Sequence, residues 1–167
     1  IPTPEYQSLM NMTKTEKTRK IIWRISLIIL GISLVCPTYC TNVQCSGPLS
    51  GLTDLLFGWF GALFMGSTYS AWFANPFFIA AIFTNKKDPL FSLIFSVVAL
   101  FIAFTFLDGG TVLLNEAGHK GYITKLEAGY WLWVSSMVIM IFAALVPIVH
   151  RVNAYLTKKH YQAHDEK

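Results

Sequence analysis

Residues 55–83 read LLFGWFGALFMGSTYSAWFANPFFIAAIF, a stretch that holds hydroxyls, an amide and a proline but no charge. How it is divided decides the fold. The uncharged run between Asp54 and Lys86 covers about 31 residues, which as one α-helix would reach about 46 Å at 1.5 Å per residue. A bilayer core is about 30 Å thick. The stretch is therefore expected as one long second helix that bends near Pro76, because proline lacks an N–H and frees the carbonyl of Trp72. A compatible resolution starts the run as an interfacial segment, GLTDLLFGWFG at 51–61, with Trp59 at headgroup level.

Outward from this run the composition is a membrane protein's: 54% hydrophobic and 13% charged residues, against about 25% charged in soluble domains. Four apolar segments qualify as spans, at about 20–36, 55–83, 90–107 and 129–149, and helices satisfy their own backbone in lipid. The expected fold is all-α, an integral membrane four-helix bundle over 20–149. A cytoplasmic N-terminal segment (1–19) precedes it and a cytoplasmic basic tail (150–167) follows. The net charge of +4 does not indicate nucleic acid, because most cations fall in three short clusters between apolar runs.

Those clusters orient the chain. Lys14, Lys17, Arg19 and Lys20 precede the first span, Lys86 and Lys87 fill the second loop, and Arg151, Lys158 and Lys159 follow the fourth span. The positive-inside rule puts both termini and the second loop in the cytoplasm and the first and third loops outside. A cleaved signal at the first span is disfavoured, since Val35 rather than a small residue precedes Cys36 and no small-x-small site follows soon. The chain opens on Ile1, with Met10 and Met12 as candidate translation starts.

Gly58, Ala62, Gly66, Ser70 and Ala74 recur at every fourth position, the spacing of a small-xxx-small face on one helix. Ser92, Ser96, Ala99 and Ala103 form a similar stripe on the third span. With these goes a choice for the Asn75–Pro76 centre. Either Asn75 and the hydroxyls are glue between helices, with Ser135 and Ser136 as partners, or Tyr69, Trp72, Asn75, Trp133 and Ser136 line a pocket or partner groove.

Cys36, Cys40 and Cys45 all lie in the first outer loop, where an oxidising compartment favours one disulfide and one leftover thiol. Cys40–Cys45, Cys36–Cys45 and Cys36–Cys40 all remain open on spacing alone. A metal site is not expected, because the C-x3-C-x4-C spacing matches no strong zinc pattern and needs a fourth ligand such as His119. The third loop, DGGTVLLNEAGHKGYITKLEAG, is expected as a solvated connector with a short helix around 112–116. His119 near Glu116 lacks a nucleophile or orienting group, so no catalytic site is assigned.

AWFANPFFIAAIF at 71–83 and GYWLWVSSM at 129–137 resemble patterns found in small, functionally uncharacterised bacterial multi-pass membrane proteins. The resemblance implies a bacterial inner-membrane location and no activity.

The expected function is non-enzymatic: lateral helix and outer-loop contact with another membrane protein, as an accessory subunit or as an immunity protein against a membrane-active toxin. No cofactor is expected. The expected partners are the lipid bilayer and another membrane protein or a second copy, not nucleic acid. The alternative is an oligomeric small-molecule channel or transporter using the polar face of the second span. A proton relay is disfavoured because no ionisable side chain lies deep in the last three spans.

Overall fold

The computed structural model describes residues 4–64, 67–114 and 118–165. The chain is 76% helical. Its five α-helices are α1 Pro4–Val35, α2 Ser50–Phe64, α3 Ala74–Thr84, α4 Pro89–Phe104 and α5 Ala128–Asp165. Two 3-10 helices, Ser67–Phe73 and Thr105–Asp108, lead into α3 and extend α4. The segments Pro89–Asp108 and Ala128–Thr157 are long and apolar enough to cross a membrane.

The helices bury small residues and turn large ones outward. α1 lies along α5, and α4 packs against both α3 and α5. Ser26, Ser92, Ser96, Ala99, Ala103, Ser136, Ala143 and Ala144 are fully buried, which lets backbones approach closely. The stripe Ser92, Ser96, Ala99, Ala103 thus lies wholly inside. Outside, Ile21, Ile25, Ile28 and Ile32 line one face of α1, and Phe91, Ile94 and Phe101 line α4; Ile28 is 62% and Phe101 72% exposed.

Polar side chains tie the helices together at three levels. At one end, Arg19 is buried and donates to the carbonyls of Asn85 and Lys86 in the α3–α4 turn and to the Glu16 carboxylate. The same turn is held by Asn85 Nδ2 on Ser92 Oγ (3.2 Å) and by Ser92 Oγ on the Ala81 carbonyl (2.9 Å). Asp88 caps α4 by accepting from the Leu90 and Phe91 amides, with Pro89 at the first helical position. Midway, Ser26 Oγ donates to the Ser136 carbonyl at 2.7 Å, and toward the other end the Tyr130 hydroxyl donates to the Ala103 carbonyl at 3.1 Å.

At that other end the two loops expected to be separate connectors form one sheet. Strands β1 Tyr39–Thr41, β2 Thr111–Leu113 and β3 Lys120–Leu126 pair antiparallel in the order β1-β3-β2. Tyr39 faces Leu126 and Thr111 faces Tyr122, with a register shift between Cys40 and Thr41. Thr111–Leu113 is therefore strand rather than the expected short helix: Thr111 and Val112 are β-branched and find an open edge on β3. Asn115 and Glu116 lie outside the described residues.

The expected long second helix is instead two helices separated by a reversal. α2 ends at Phe64, and the 3-10 helix Ser67–Phe73 folds back on it before running into α3 through Phe73, whose backbone stays helical. Trp72 Nε1 donates to the Leu55 carbonyl at 2.9 Å. A Cβ on Gly58 would meet Trp72 at 2.6 Å and one on Gly61 would collide with the Tyr69 ring, so bare glycine backbone lets the two aromatic side chains lie against α2. Pro76 does not kink a long helix; it is the third residue of α3, in the first turn, where a missing N–H is tolerated.

That reversal also dissolves the five-residue ladder. Gly58 and Ala62 sit on α2, Ser70 on the 3-10 helix and Ala74, fully buried, on α3, while Gly66 lies outside the described residues. A spacing of four makes a common face only along one continuous helix. Asn75 is the joint: Nδ2 donates to the Trp72 carbonyl (3.0 Å), the acceptor that Pro76 leaves without a donor, and Oδ1 accepts from Trp133 Nε1 (3.0 Å). Its partner on α5 is thus Trp133, not Ser135, which is exposed, or Ser136, which is buried elsewhere. Asn75→Leu strands a carbonyl and an indole N–H together, and equilibrium unfolding should show a loss of about 1–3 kcal/mol. A loss confined to a few tenths would mean that the joint is dispensable.

Candidate functional site

The reversal of α2 against the 3-10 helix leaves a gap beside α1 and α5, at the sheet end of the helices. It is a cavity of about 170 Å³, walled by Leu30 and Ser33 of α1, Leu55 and Gly58 of α2, Tyr69 and Trp72 of the 3-10 helix, Phe78 of α3 and Tyr130 and Trp133 of α5. Its lining is overwhelmingly apolar and aromatic, as binding cavities for small molecules usually are. Four of the five residues expected to line a pocket, Tyr69, Trp72, Asn75 and Trp133, do line this one. Ser136 does not; its hydroxyl donates to the Trp133 carbonyl at 2.6 Å.

The glue and pocket readings of Asn75 are not exclusive in this geometry. Its two hydrogen bonds hold the Trp72 backbone and the Trp133 indole, and both tryptophans line the wall. Pro76 is exposed, and Ser70 Oγ lies 3.5 Å from Thr105 Oγ1, away from the lining.

The polar end of the cavity is a group that the apolar pattern hid. Thr38, Tyr39 and Asp54 line it, brought together where the chain leaves α1, enters β1 and then turns into α2. Thr38 Oγ1 donates to Asp54 Oδ2 at 2.8 Å and lies 3.2 Å from Ser50 Oγ, which itself donates to the Cys36 carbonyl. Ser46 Oγ accepts from the amides of Thr38 and Tyr39, so the hydroxyls fix the strand entry and leave Asp54 Oδ1 without a partner among the described residues. Asp54 forms no ion pair among the described residues, and no Lys, Arg or His lines the cavity. One sequence signal was available: Asp54 is the sole acid between Glu16 and Asp88.

Burial, partly offset by the Thr38 hydroxyl, pushes the Asp54 carboxyl up to about 6. Burial first, then Asp54 and Tyr69 nearby, raise the Tyr39 phenol above its ordinary range and keep it neutral. The arrangement has a hydrogen-bond acceptor and latent negative charge at one end of an aromatic chamber, with no nucleophile-base pair.

The outer cysteines form one pair. Cys40 and Cys45 stand at disulfide distance across a tight turn at the end of β1, and Cys36 is free. The turn is closed by the Thr41 amide and hydroxyl, both donating to the Gln44 carbonyl at 2.8 Å. His119 is exposed beside β3, and among the described residues no three His, Cys, Asp or Glu side chains converge on a metal site.

A carboxyl whose folded-state pKa lies above the unfolded value binds its proton more tightly when folded. Its contribution therefore favours the fold below about pH 4, declines as pH rises toward about 6 and stays unfavourable above that. Asp54→Asn should stabilise the protein by roughly 1–3 kcal/mol at pH 7.5, and the two proteins should converge near pH 4. Unfolding measured at both pH values checks this; equal stability at pH 7.5 would show that Asp54 is not strained by its surroundings.

No family model matches the chain, and no curated protein or solved structure matches it at a significant level.

Proposed function

We infer that this chain is a four-pass bacterial inner-membrane protein that binds a small, largely apolar molecule without transforming it. The observation that carries the binding is the aromatic cavity, held open by the Asn75 joint and by glycine contacts on α2. The expected lateral-contact function leaned on a small-residue face that the chain reversal takes apart. Ala74 is in the core and Gly58 is covered by Trp72.

The inverted packing supports the membrane setting: serines inside and isoleucines outside on α1, serines and alanines inside and Phe91, Ile94 and Phe101 outside on α4. α4 and α5 are spans by length and composition. The 3-10 helix and α3 together reach about 30 Å at roughly 2 Å and 1.5 Å per residue, and α1 supplies the remaining span through its apolar second half. α2, about 22 Å long, lies at the outer boundary with Leu56, Phe57, Phe60 and Leu63 turned outward. In this arrangement Asp54 and the sheet are outside the spans. The pairing of β1 with β3 fits an orientation that puts the first and third loops on one side.

The same exposed face of α2 favours a second reading, docking of another membrane protein in the accessory-subunit or immunity manner. Copurification from mild detergent discriminates it from ligand binding.

Two measurements bear on the leading reading. With Cys36 replaced by Ser, a cysteine at exposed Lys120 should be labelled from outside intact cells and one at exposed Lys87 only after permeabilisation; the reverse pattern would invert the topology. Binding is checked with 2-phenylethanol, an uncharged probe of one ring and a short chain, followed through tryptophan fluorescence because Trp72 and Trp133 line the cavity. Saturable quenching is expected, and it should be lost in Ala71→Leu, because Ala71 is a buried residue of the wall and a leucine there fills the chamber. Quenching that never saturates, or that persists unchanged in Ala71→Leu, would remove the cavity as a binding site.

A further inference from the structure

Among the described residues Asp54 is the one acid on the wall of a cavity lined mainly by aromatic and aliphatic side chains, and no Lys, Arg or His lines the chamber. The other titratable groups there are the phenols of Tyr39 on β1, Tyr69 on the 3-10 helix and Tyr130 on α5. Thr38 satisfies Oδ2; Oδ1 has no hydrogen-bond partner among the described residues. A carboxylate in apolar surroundings without a cation is costly, and such groups concentrate at functional sites.

What would occupy this site follows from charge, shape and size. An anionic ligand is disfavoured by the like charge of the carboxylate. An alcohol could donate one hydrogen bond but would leave the charge unbalanced. An organic ammonium does both, through a charge-assisted hydrogen bond to the carboxylate and attraction to the aromatic faces of Tyr39, Tyr69, Trp72 and Trp133. The volume limits the rest of the molecule. An apolar cavity of about 150 Å³ admits benzene, so about 170 Å³ holds one ring, or an aliphatic body of that size, with a short arm.

We propose that the cavity takes a small lipophilic amine, its ammonium donating to Asp54 Oδ1 and its apolar body lying against Trp72 and Trp133. This rests on the ligand-binding reading above and specifies the class of ligand. Asp54 and Tyr39 are half-buried while Phe78, further along the cavity, is fully buried, so the charged head sits at the more accessible end. The carboxyl titrates within the experimental range, so amine affinity falls as acid neutralises it, whereas an uncharged isostere loses only part of one hydrogen bond and its affinity falls less.

The test uses calorimetric titration of the full chain in a nonionic detergent with 2-phenylethylamine and 2-phenylethanol, at pH 7.5 and pH 5. At pH 7.5 the amine should bind at least about tenfold more tightly than the alcohol. That preference should shrink at pH 5, which needs no variant, and vanish in Asp54→Asn, while alcohol binding is retained in both conditions. An unfolding midpoint for Asp54→Asn at or above that of the unaltered protein separates lost recognition from lost fold. Equal affinity for amine and alcohol in the unaltered protein would overturn the amine assignment and leave the cavity as a binding site. A preference that survives both acid and Asp54→Asn would overturn the role of the carboxylate. Failure of both probes to bind would overturn this inference together with the binding reading.

Discussion

One side-chain amide stands between a backbone carbonyl and an indole, and the architecture around the cavity depends on it. Pro76 cannot donate to the Trp72 carbonyl, and Asn75, its neighbour, supplies the donor from its own side chain. Through the same amide it accepts from Trp133 on α5, and Trp72 in turn donates to Leu55 on α2. A series of three hydrogen bonds thus runs from α5 through the start of α3 to α2. An apolar interior gives these groups no water to fall back on, so each bond is worth keeping as much for the cost of its absence as for its strength.

The two ends of the molecule are held by different chemistry. At the basic end, a buried guanidinium grips backbone carbonyls of a tight turn, a contact insensitive to which side chains occupy that turn. At the sheet end, short strands, a hydroxyl cluster and a cysteine pair hold the segment from which Thr38 and Tyr39 reach the cavity. A carboxyl that burial disfavours is retained in that well-braced setting. Such a group is a local expense which a rigid surround makes tolerable, and sites of recognition commonly depart from the most stable choice in this way.

The long apolar elements were legible because length and hydrophobicity alone identify them: α4 and α5 begin within a residue or two of where 90–107 and 129–149 start. The division of 55–83 was not. An uncharged run contains no amphipathic period to mark a reversal, and the spacing of small residues read as one face when it belonged to three elements. A finer signal was there in retrospect. Gly58 and Gly61 are three apart, Tyr69 and Trp72 are three apart, and each glycine receives one of those rings. Asn-Pro also marks a helix start as readily as a bend. Most of the pocket wall was legible because aromatic residues beside an amide are unusual in an apolar run. Asp54 was not, because it looked like the edge of a span and its partner Thr38 and neighbour Tyr39 stand at the entry to a strand whose pairing is set 80-odd residues later.

The pairing of α1 with α5 and of β1 with β3 carries a consequence for how the chain is made. Synthesis proceeds from one end, so α1 emerges long before the helix that covers Ser26 and before the strand that completes β1. Until β3 and α5 arrive, the edge of β1 and the Ser26 hydroxyl lack these partners, and only contacts between neighbouring segments, such as α2 with the 3-10 helix and α3 with α4, can assemble early. Assembly is therefore late and closes around the cavity in its final step. A chain halted before residue 120 would keep its apolar surfaces and lose both clasps, leaving a species suited to quality-control proteolysis rather than to slow completion.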